Sequence, residues 1–452
     1  MATEIRFGSS AIQLSDIERY SAEFRANPNN RVRTNAITKS GIHGVATSFD
    51  ARADMPFTFS IELETGPVTN QKQSGRCWLF AGLNTIRHGM SKRLNLPPFE
   101  LSQSYAMFWD KFEKANYFLE RVLDTLDEPT DSRLVQWLLQ APMQDGGQWD
   151  MFVALVEKYG IVPQYAMPET YHSSRSVLMN RLLTQKLRKQ AADFRSAYTA
   201  GTTISDIRES KRRFMGEFYR LLCYFLGEPP KTFDFEYRDK EKVFHRETNL
   251  TPLGFYEKYA EDLSQYVSVI NAPTADKPFG KSYTVQYLGN VEGGRQVRYV
   301  NVEIETLKSL ALAQLSDGEA VWFGCDVGKA SDRDDGILDT ALFDYESALD
   351  TAFDMTKAER LDYAESLMTH AMVFTGANVI EGKVNRWKVE NSWGKEPGKD
   401  GFFVMSDKWF DEYMYQIVVH RKYLSDDLAA AFDAEPIVLK PWDPMGSLAT
   451  LR

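Results

Sequence analysis

Hydrophobic positions change their spacing along the chain, and the changes separate predicted helices from predicted strands. Leu79, Leu83, Ile86 and Met90 recur at intervals of four, three and four residues, which is the spacing of one helix face. A turn-rich segment containing glycine precedes this pattern. The pattern therefore predicts a helix that follows a glycine loop and carries Cys77 in its first turn.

Other helical patterns lie on either side of this region. Near the N-terminus, Ser15-Asp16-Ile17-Glu18 is typical of a capping box and predicts the start of a helix. Between residues 175 and 226, two successive helices are predicted by apolar residues at helical spacing. These residues are Leu183, Leu187, Phe194 and Tyr198 in the first helix and Ile207, Phe214, Phe218 and Phe225 in the second.

The spacing changes to that of strands further along the chain. In residues 281–304, apolar and polar positions first alternate, Gly293-Gly294 then marks a turn, and a β-rich stretch follows. This pattern predicts a β-hairpin. In the last third, residues 371–376, 386–390 and 401–405 are short strands bounded by turn residues, as in a small antiparallel sheet or barrel. His370 opens the first of these strands and Asn391 closes the second.

Length and composition restrict the class of protein. A chain of 452 residues predicts one large elaborated domain or two lobes. No apolar run approaches the length that crosses a membrane, and the first residues do not resemble a secretory signal. The three cysteines are far apart, which is typical of a reducing compartment, so we expect a cytoplasmic protein without a disulfide framework.

Charge argues against a general nucleic-acid-binding role but leaves a local one open. The net charge of −10 disfavours non-specific binding to phosphates. Residues 175–220, however, contain eleven Lys or Arg against four Asp or Glu. A solvated helix face or a contact between subunits is the ordinary explanation of such a segment, and nucleic-acid contact is the alternative.

The candidate chemistry centres on Cys77. Backbone N–H groups and the dipole at a helix N-terminus stabilise a thiolate, which is the nucleophilic form of cysteine. Acyl transfer also requires a histidine, a side chain that orients it, and donors for an oxyanion. Gln71 and the Cys77 N–H could be those donors. The histidines do not show zinc-ligand spacing, so no metal or cofactor is expected.

Three segments, taken in order, resemble the active-site segments of papain-like cysteine peptidases. They are residues 71–78 around Cys77, Thr369-His370-Ala371, and Lys388-Val389-Glu390-Asn391-Ser392-Trp393-Gly394. The chain is similar, more narrowly, to the bleomycin hydrolase and aminopeptidase C branch. That similarity is carried by Asp145-Gly146-Gly147-Gln148-Trp149-Asp150, by residues 322–328 and by Pro441-Trp442-Asp443-Pro444-Met445-Gly446.

The resemblance implies a role for each matched residue. Cys77 would attack the peptide carbonyl, His370 would protonate the leaving amine, and Asn391 would orient His370. Gln71 would line the oxyanion hole, and Trp393 would shelter the contact between His370 and Asn391. The substrate-binding residues would be Gly146 and Gly147, which present backbone to an extended substrate, and Ala449 in the tail.

In this family the C-terminal tail lies in the active-site cleft, and its carboxylate meets the free amino group of the substrate. Members also form hexameric rings, so a homohexamer is expected by resemblance. They end at, or one residue beyond, the alanine that matches Ala449, whereas this chain continues as Thr450-Leu451-Arg452. The extra residues could be trimmed, could fill the cleft, could shift how many substrate residues fit, or could be a tail end without consequence.

The resulting expectation is an α+β, papain-like two-lobe fold with a helical lobe and an antiparallel β-barrel-like lobe. The expected regions are an arm (1–62), a helical lobe with the nucleophile (63–172), an insert (173–300), a β lobe (301–435) and a gating tail (436–452). The expected function is a cysteine aminopeptidase of broad specificity that takes peptides with a free N-terminus, with possible bleomycin hydrolase activity. Alternatives are an endopeptidase, a nucleic-acid-binding protein acting through residues 175–220, and a catalytically silent scaffold.

Overall fold

The computed structural model describes residues 10–449, in which helices and strands alternate in mixed order. The helices are α1 Leu14–Ala26, α2 Pro28–Ala46, α3 Phe49–Ala53, α4 Cys77–Leu94, α5 Gln103–Asp124, α6 Arg133–Gln140, α7 Trp149–Tyr159, α8 Tyr171–Ser174, α9 Val177–Thr199, α10 Ile204–Leu226, α11 Pro252–Tyr259, α12 Ile304–Ser316, α13 Tyr345–Leu349, α14 Lys357–Asp362, α15 Asp407–Tyr413 and α16 Asp426–Asp433. The strands are β1 Ile61–Glu62, β2 Phe233–Arg238, β3 Phe244–Leu250, β4 Tyr266–Ile270, β5 Lys281–Val285, β6 Tyr299–Asn301, β7 Val321–Cys325, β8 Ser331–Asp332, β9 Ile337–Leu338, β10 His370–Ile380, β11 Lys383–Glu390, β12 Phe402–Ser406, β13 Met414–His420 and β14 Ile437–Leu439.

One compact unit comprises residues 10–54 and 341–354. Its helix α2 is kinked at Gly41, whose φ of 72° lies in the left-handed region that glycine adopts without strain. The rings of His43 and Phe343 meet edge to face with centroids 4.8 Å apart. Arg33 pairs with Asp350 at 2.9 Å, so α2 and the 341–354 segment are held by both apolar and ionic contacts.

The second unit, residues 55–340 and 355–449, is organised around one large open sheet. Its strand order is β14-β5-β6-β4-β13-β7-β10-β11-β12-β9-β8, with β1 paired to β10. Three pairs are parallel, namely β4 with β6, β5 with β14, and β9 with β12. The expectation of an antiparallel barrel-like lobe is therefore wrong, because the path of paired strands does not close and its outer parts include parallel pairs.

The sheet of the second unit has a hydrophobic core on each face. Side chains of successive strand residues point to opposite faces, and neighbouring residues of β10 accordingly enter different clusters. Ala371 and Val373 belong to the cluster that contains α4, α5 and α7. Met372 and Phe374 belong to the cluster that contains α12 and α15. The fold is thus mixed α+β, with helices packed on both sides of the sheet.

Several predicted elements are confirmed, with differences at their ends. Helices α4, α9 and α10 occupy the predicted segments. Helix α1 begins at Leu14, because Gln13 with Asp16, and not Ser15, forms the capping box. Strands β5 and β6 pair antiparallel as predicted, but residues 286–298 form a long connection in place of a tight turn, and the return strand spans only Tyr299–Asn301.

Candidate active site

Cys77 is the first residue of α4 and is 2% exposed. Burial raises the pKa of its thiol to about 11, while backbone N–H groups of Ala371 and Trp78 act in the opposite direction. Backbone N–H groups of β10 and of the helix start thus favour the thiolate, but burial outweighs them. Burial of the thiol therefore favours its neutral form.

His370 and Asn391 come together where β10 begins and β11 has just ended. His370 Nε2 lies 2.9 Å from Asn391 Oδ1. Because an amide oxygen only accepts hydrogen bonds, the imidazole nitrogen is the donor, which leaves Nδ1 as the basic nitrogen of the neutral ring. Burial lowers the pKa of His370 to about 4, and the hydrogen bond to Asn391 opposes that shift. Burial of the imidazole therefore favours its neutral form.

Two further residues named by the resemblance lie around this pair. The ring of Trp393 lies beside His370, with centroids 4.9 Å apart. Gln71 is 7% exposed, donates from Nε2 to Ser74 O at 2.6 Å, and accepts from Ser392 Oγ at 2.6 Å. An amide nitrogen carries two hydrogens, so one N–H of Gln71 remains after the contact with Ser74.

Asp145 is a site residue that the sequence reasoning did not assign. Its carboxylate accepts from Gly75 N at 2.8 Å, two residues before Cys77, and pairs with Lys111 on α5 at 2.6 Å. Ser176 and Asn180 also donate to it. Burial acts to raise the pKa of Asp145, but the Lys111 charge and these donors hold it well below its usual range. Its position as the first residue of the motif Asp145-Gly146-Gly147-Gln148-Trp149-Asp150 was the available signal.

Gly146 lies against the C-terminal residues of the described chain. A side-chain carbon added at Gly146 would lie 2.2 Å from Leu448 O and 3.2 Å from Ala449 Cα. The Gln144 side chain donates to Ala449 O, and Lys114 Nζ donates to Gly146 O at 2.5 Å. Only glycine permits this approach of the two backbones. Thr450-Leu451-Arg452 lie outside the described residues.

Gly147 packs against α4, the helix that begins at Cys77. A side-chain carbon there would lie 2.4 Å from the Trp78 ring, whose Nε1 donates to Asp145 O at 2.6 Å. Ala449 is 2% exposed and Leu448 is fully buried. The structure thus places Gly146 and Gly147 between α4 and residues 448–449.

The remaining candidates lie elsewhere or have other partners. Cys325 lies directly opposite His370 on β7, but its side chain is buried in the core cluster that contains α12 and α15, and Cys223 lies on α10. In the basic segment 175–220, many cations already contact carboxylates or carbonyl oxygens, as in the pairs Lys186–Glu217, Lys189–Asp193, Lys211–Glu120, Arg212–Glu209 and Arg195–Thr125 O. Within residues 10–449, no helix is long and apolar enough to cross a membrane, and no metal-binding group of His, Cys, Asp or Glu is found.

Comparison with known proteins gives consistent matches. Residues 11–446 match the Peptidase C1-like family. Aminopeptidase C of Listeria monocytogenes serovar 1/2a is 51% identical over 450 residues, which cover 99% of this chain and all of that protein. Aminopeptidase C of Lactobacillus delbrueckii subsp. lactis is 46% identical over 445 residues, with 98% and 99% covered. The crystal structure of PepW from Lactobacillus rhamnosis HN001 is 52% identical with a TM-score of 0.95, covering 97% of this chain and 99% of that one.

Proposed function

The chain belongs to the Peptidase C1-like family and is a papain-like cysteine aminopeptidase, and from this premise we propose that Cys77, His370 and Asn391 carry out acyl transfer at the first peptide bond of a substrate. The observation that carries the proposal is the hydrogen bond of 2.9 Å between His370 Nε2 and Asn391 Oδ1, next to Ala371, whose backbone N–H contacts the buried Cys77 thiol. It fixes one tautomer and leaves Nδ1 free to accept a proton.

The proposed reaction begins with proton transfer inside the pair. The Cys77 thiol gives its proton to His370 Nδ1, and Sγ attacks the carbonyl carbon of the substrate. The tetrahedral intermediate collapses when the imidazolium protonates the leaving amine, which breaks the C–N bond and leaves a thioester on Cys77. Water then attacks the thioester, the same imidazole accepts its proton, and the free thiol and the released amino acid are formed.

Burial favours the neutral form of both groups before the transfer. It raises the pKa of Cys77 to about 11 and lowers that of His370 to about 4, so each group resists net ionisation alone. A transfer between them leaves the total charge of the site unchanged. We assign oxyanion stabilisation to the second Nε2 hydrogen of Gln71 and to the Cys77 N–H, and a sheltering role to Trp393.

The tail is proposed to limit cleavage to the N-terminus of the peptide. Residues 444–449 form a 3-10 segment in which Met445, Leu448 and Ala449 are buried. This segment lies against Gly146, where an extended substrate would otherwise pair with the backbone. Beyond it, the terminal carboxylate would pair with the substrate ammonium. Ala449 and the Gly146-Gly147 backbone are therefore proposed as the substrate-binding surface.

Further parts of the proposal rest on the family resemblance and the sequence. The chain is assigned a helical lobe (63–172), an insert (173–300), a β lobe (301–435) and a tail (436–452) after an N-terminal arm (1–62). The two lobes would flank the cleft that holds the tail. A homohexamer, a cytoplasmic location and broad specificity that extends to bleomycin-type amides are proposed on the same basis, and unpaired cysteines agree with a reducing compartment.

The proposal is tested with a fluorogenic aminoacyl amide and its N-acetylated twin under reducing conditions. The full chain should hydrolyse the free form at least about 100-fold faster, because the acetylated form offers no ammonium to the tail carboxylate. Cys77→Ser should abolish both reactions. A variant that ends at Ser447 should lose most of the discrimination.

Two results would count against the proposal. Equal hydrolysis of both substrates by the full chain would mean that the tail does not select a free amino group. Unchanged discrimination after the truncation would place the selection elsewhere than in the tail.

A further inference from the structure

A buried ionic cluster joins the nucleophile helix to the strand that ends next to Asn391. We propose that this cluster, formed by Arg87, His88 and Glu390 and here called the bridge cluster, positions Asn391 for catalysis. The inference rests on the proposed role of Asn391 in orienting His370. It assigns a function to three residues that do not themselves contact the reacting atoms.

The bridge cluster is compact and almost completely shielded from solvent. Glu390 is the last residue of β11 and is 1% exposed. Arg87 Nη2 lies 2.6 Å from Glu390 Oε1, and His88 Nε2 lies 2.9 Å from Glu390 Oε2. Burial acts to raise the pKa of Glu390, but the neighbouring His88 and Arg87 lower it overall. Both carboxylate oxygens are therefore held by residues of α4.

Arg87 also reaches the segment that precedes the oxyanion residue. Its Nη1 donates to Pro67 O at 3.3 Å, four residues before Gln71. The same segment pairs with the chain after Asn391, because Gln71 N donates to Ser392 O at 2.8 Å. One guanidinium thus connects the nucleophile helix, the oxyanion segment and the strand that ends beside Asn391.

Few hydrogen bonds fix the side chain of Asn391, which is 1% exposed. Its Oδ1 accepts from His370 Nε2 at 2.9 Å and from Ser392 N at 2.8 Å. Its Nδ2 is buried and has no hydrogen-bond partner among residues 10–449. Because no hydrogen bond to Nδ2 from residues 10–449 holds the amide, the position of Oδ1 depends on the backbone at residues 390–392. Glu390 is the side chain that anchors this backbone to α4.

The alternative is that the bridge cluster only stabilises the fold. Removing one partner of a buried ion pair destabilises a protein wherever the pair lies. A positioning role predicts something more, namely a loss of kcat in molecules that remain folded, because a small misplacement of an orienting group slows the chemical step. The two explanations therefore differ in kcat measured per folded molecule.

The test compares Glu390→Gln with Glu120→Gln. Glu120 is a matched control, since it is 7% exposed and also lies between two cations, Arg208 and Lys211. Glu390→Gln should lower kcat by at least about tenfold with KM changed less than about twofold. Glu120→Gln should lower the melting temperature and leave kcat within about twofold of the wild-type value.

A second variant covers the case in which Glu390→Gln does not fold. The double variant Arg87→Met/Glu390→Met replaces the pair by apolar side chains, leaves no unpaired charge between these two residues and should remain folded. It should still show the tenfold loss of kcat, because the link between α4 and β11 is gone.

Parallel assays of Asn391→Ala separate the two proposals. If Asn391→Ala lowers kcat while both Glu390 variants keep it within about twofold, the bridge cluster is structural only and the inference is overturned. If Asn391→Ala itself leaves kcat unchanged, the proposed role of Asn391 is wrong, and the inference falls with it.

Discussion

The pair Cys77 and His370 shows how burial controls single groups in this site. Burial alone disfavours both a thiolate and an imidazolium, and it moves the two pKa values in opposite directions, to about 11 and about 4. The pair therefore holds one proton between its two members over a wide pH range. We expect the reactive ion pair to form by transfer of this proton from Cys77 to His370.

The pKa of His370 predicts how stability responds to acid. An unfolded histidine has a pKa near 6.5, whereas burial lowers the folded value to about 4. The unfolded chain thus binds the proton first as pH falls. The contribution of neutral His370 to stability is fully present above pH 6.5. The free energy of unfolding should decrease by up to about 3 kcal/mol between pH 6.5 and pH 4.

Urea unfolding from pH 7 to pH 4 measures this effect. His370→Gln removes the titrating group and can still pair with Asn391, so its stability should fall less over the same range. The difference in slope between the two proteins isolates the histidine. Parallel curves would show that His370 does not keep a low pKa in the folded protein.

At the scale of elements, the close approach of the tail to Gly146 makes a second prediction. Gly146→Ala would place a carbon 2.2 Å from Leu448 O, so the tail must move. Overpacking of this kind costs about 1–3 kcal/mol, which should speed digestion of the tail by carboxypeptidase about tenfold. Mass spectrometry of the shortened chain measures that rate.

The matched control is Gly216→Ala. Gly216 lies within α10, and a carbon added there would meet no heavy atom within 4 Å. This variant should be digested at the wild-type rate, since alanine is the better helix former and nothing is displaced. Equal rates for Gly146→Ala and the wild type would mean that the tail does not lie against Gly146 in solution.

Elements with strong local signals were predictable from sequence, and those set by distant pairing were not. Periodic apolar residues located α4, α9 and α10. The prediction of a barrel-like lobe was wrong, because the sequence of a short strand does not show which strand it pairs with. Strand β14, for example, pairs in parallel with β5, about 150 residues away. The matched motifs named Cys77, His370 and Asn391, but the partners of Asp145 on α5 and α9 become neighbours only through helix packing.

At the scale of the whole molecule, the second unit brings together segments far apart in sequence. The candidate site combines helix α4 (residues 77–94), strand β10 (residues 370–380) and the tail segment 444–449. No local pattern could show that the tail approaches Gly146, because that contact spans about 300 residues. The family resemblance supplied the expectation of a tail at the site, and the contacts of Leu448 and Ala449 support the proposed gate.

The mass of the acyl-enzyme tests the proposed aminopeptidase mechanism most directly. A peptide with a free N-terminus is mixed with the full chain, the reaction is quenched in acid within milliseconds, and the adduct is mapped by mass spectrometry. The proposed mechanism predicts that one aminoacyl residue, the first of the peptide, is attached to Cys77 and is absent from Cys77→Ser. An adduct of several residues, or one on Cys223 or Cys325, would contradict it.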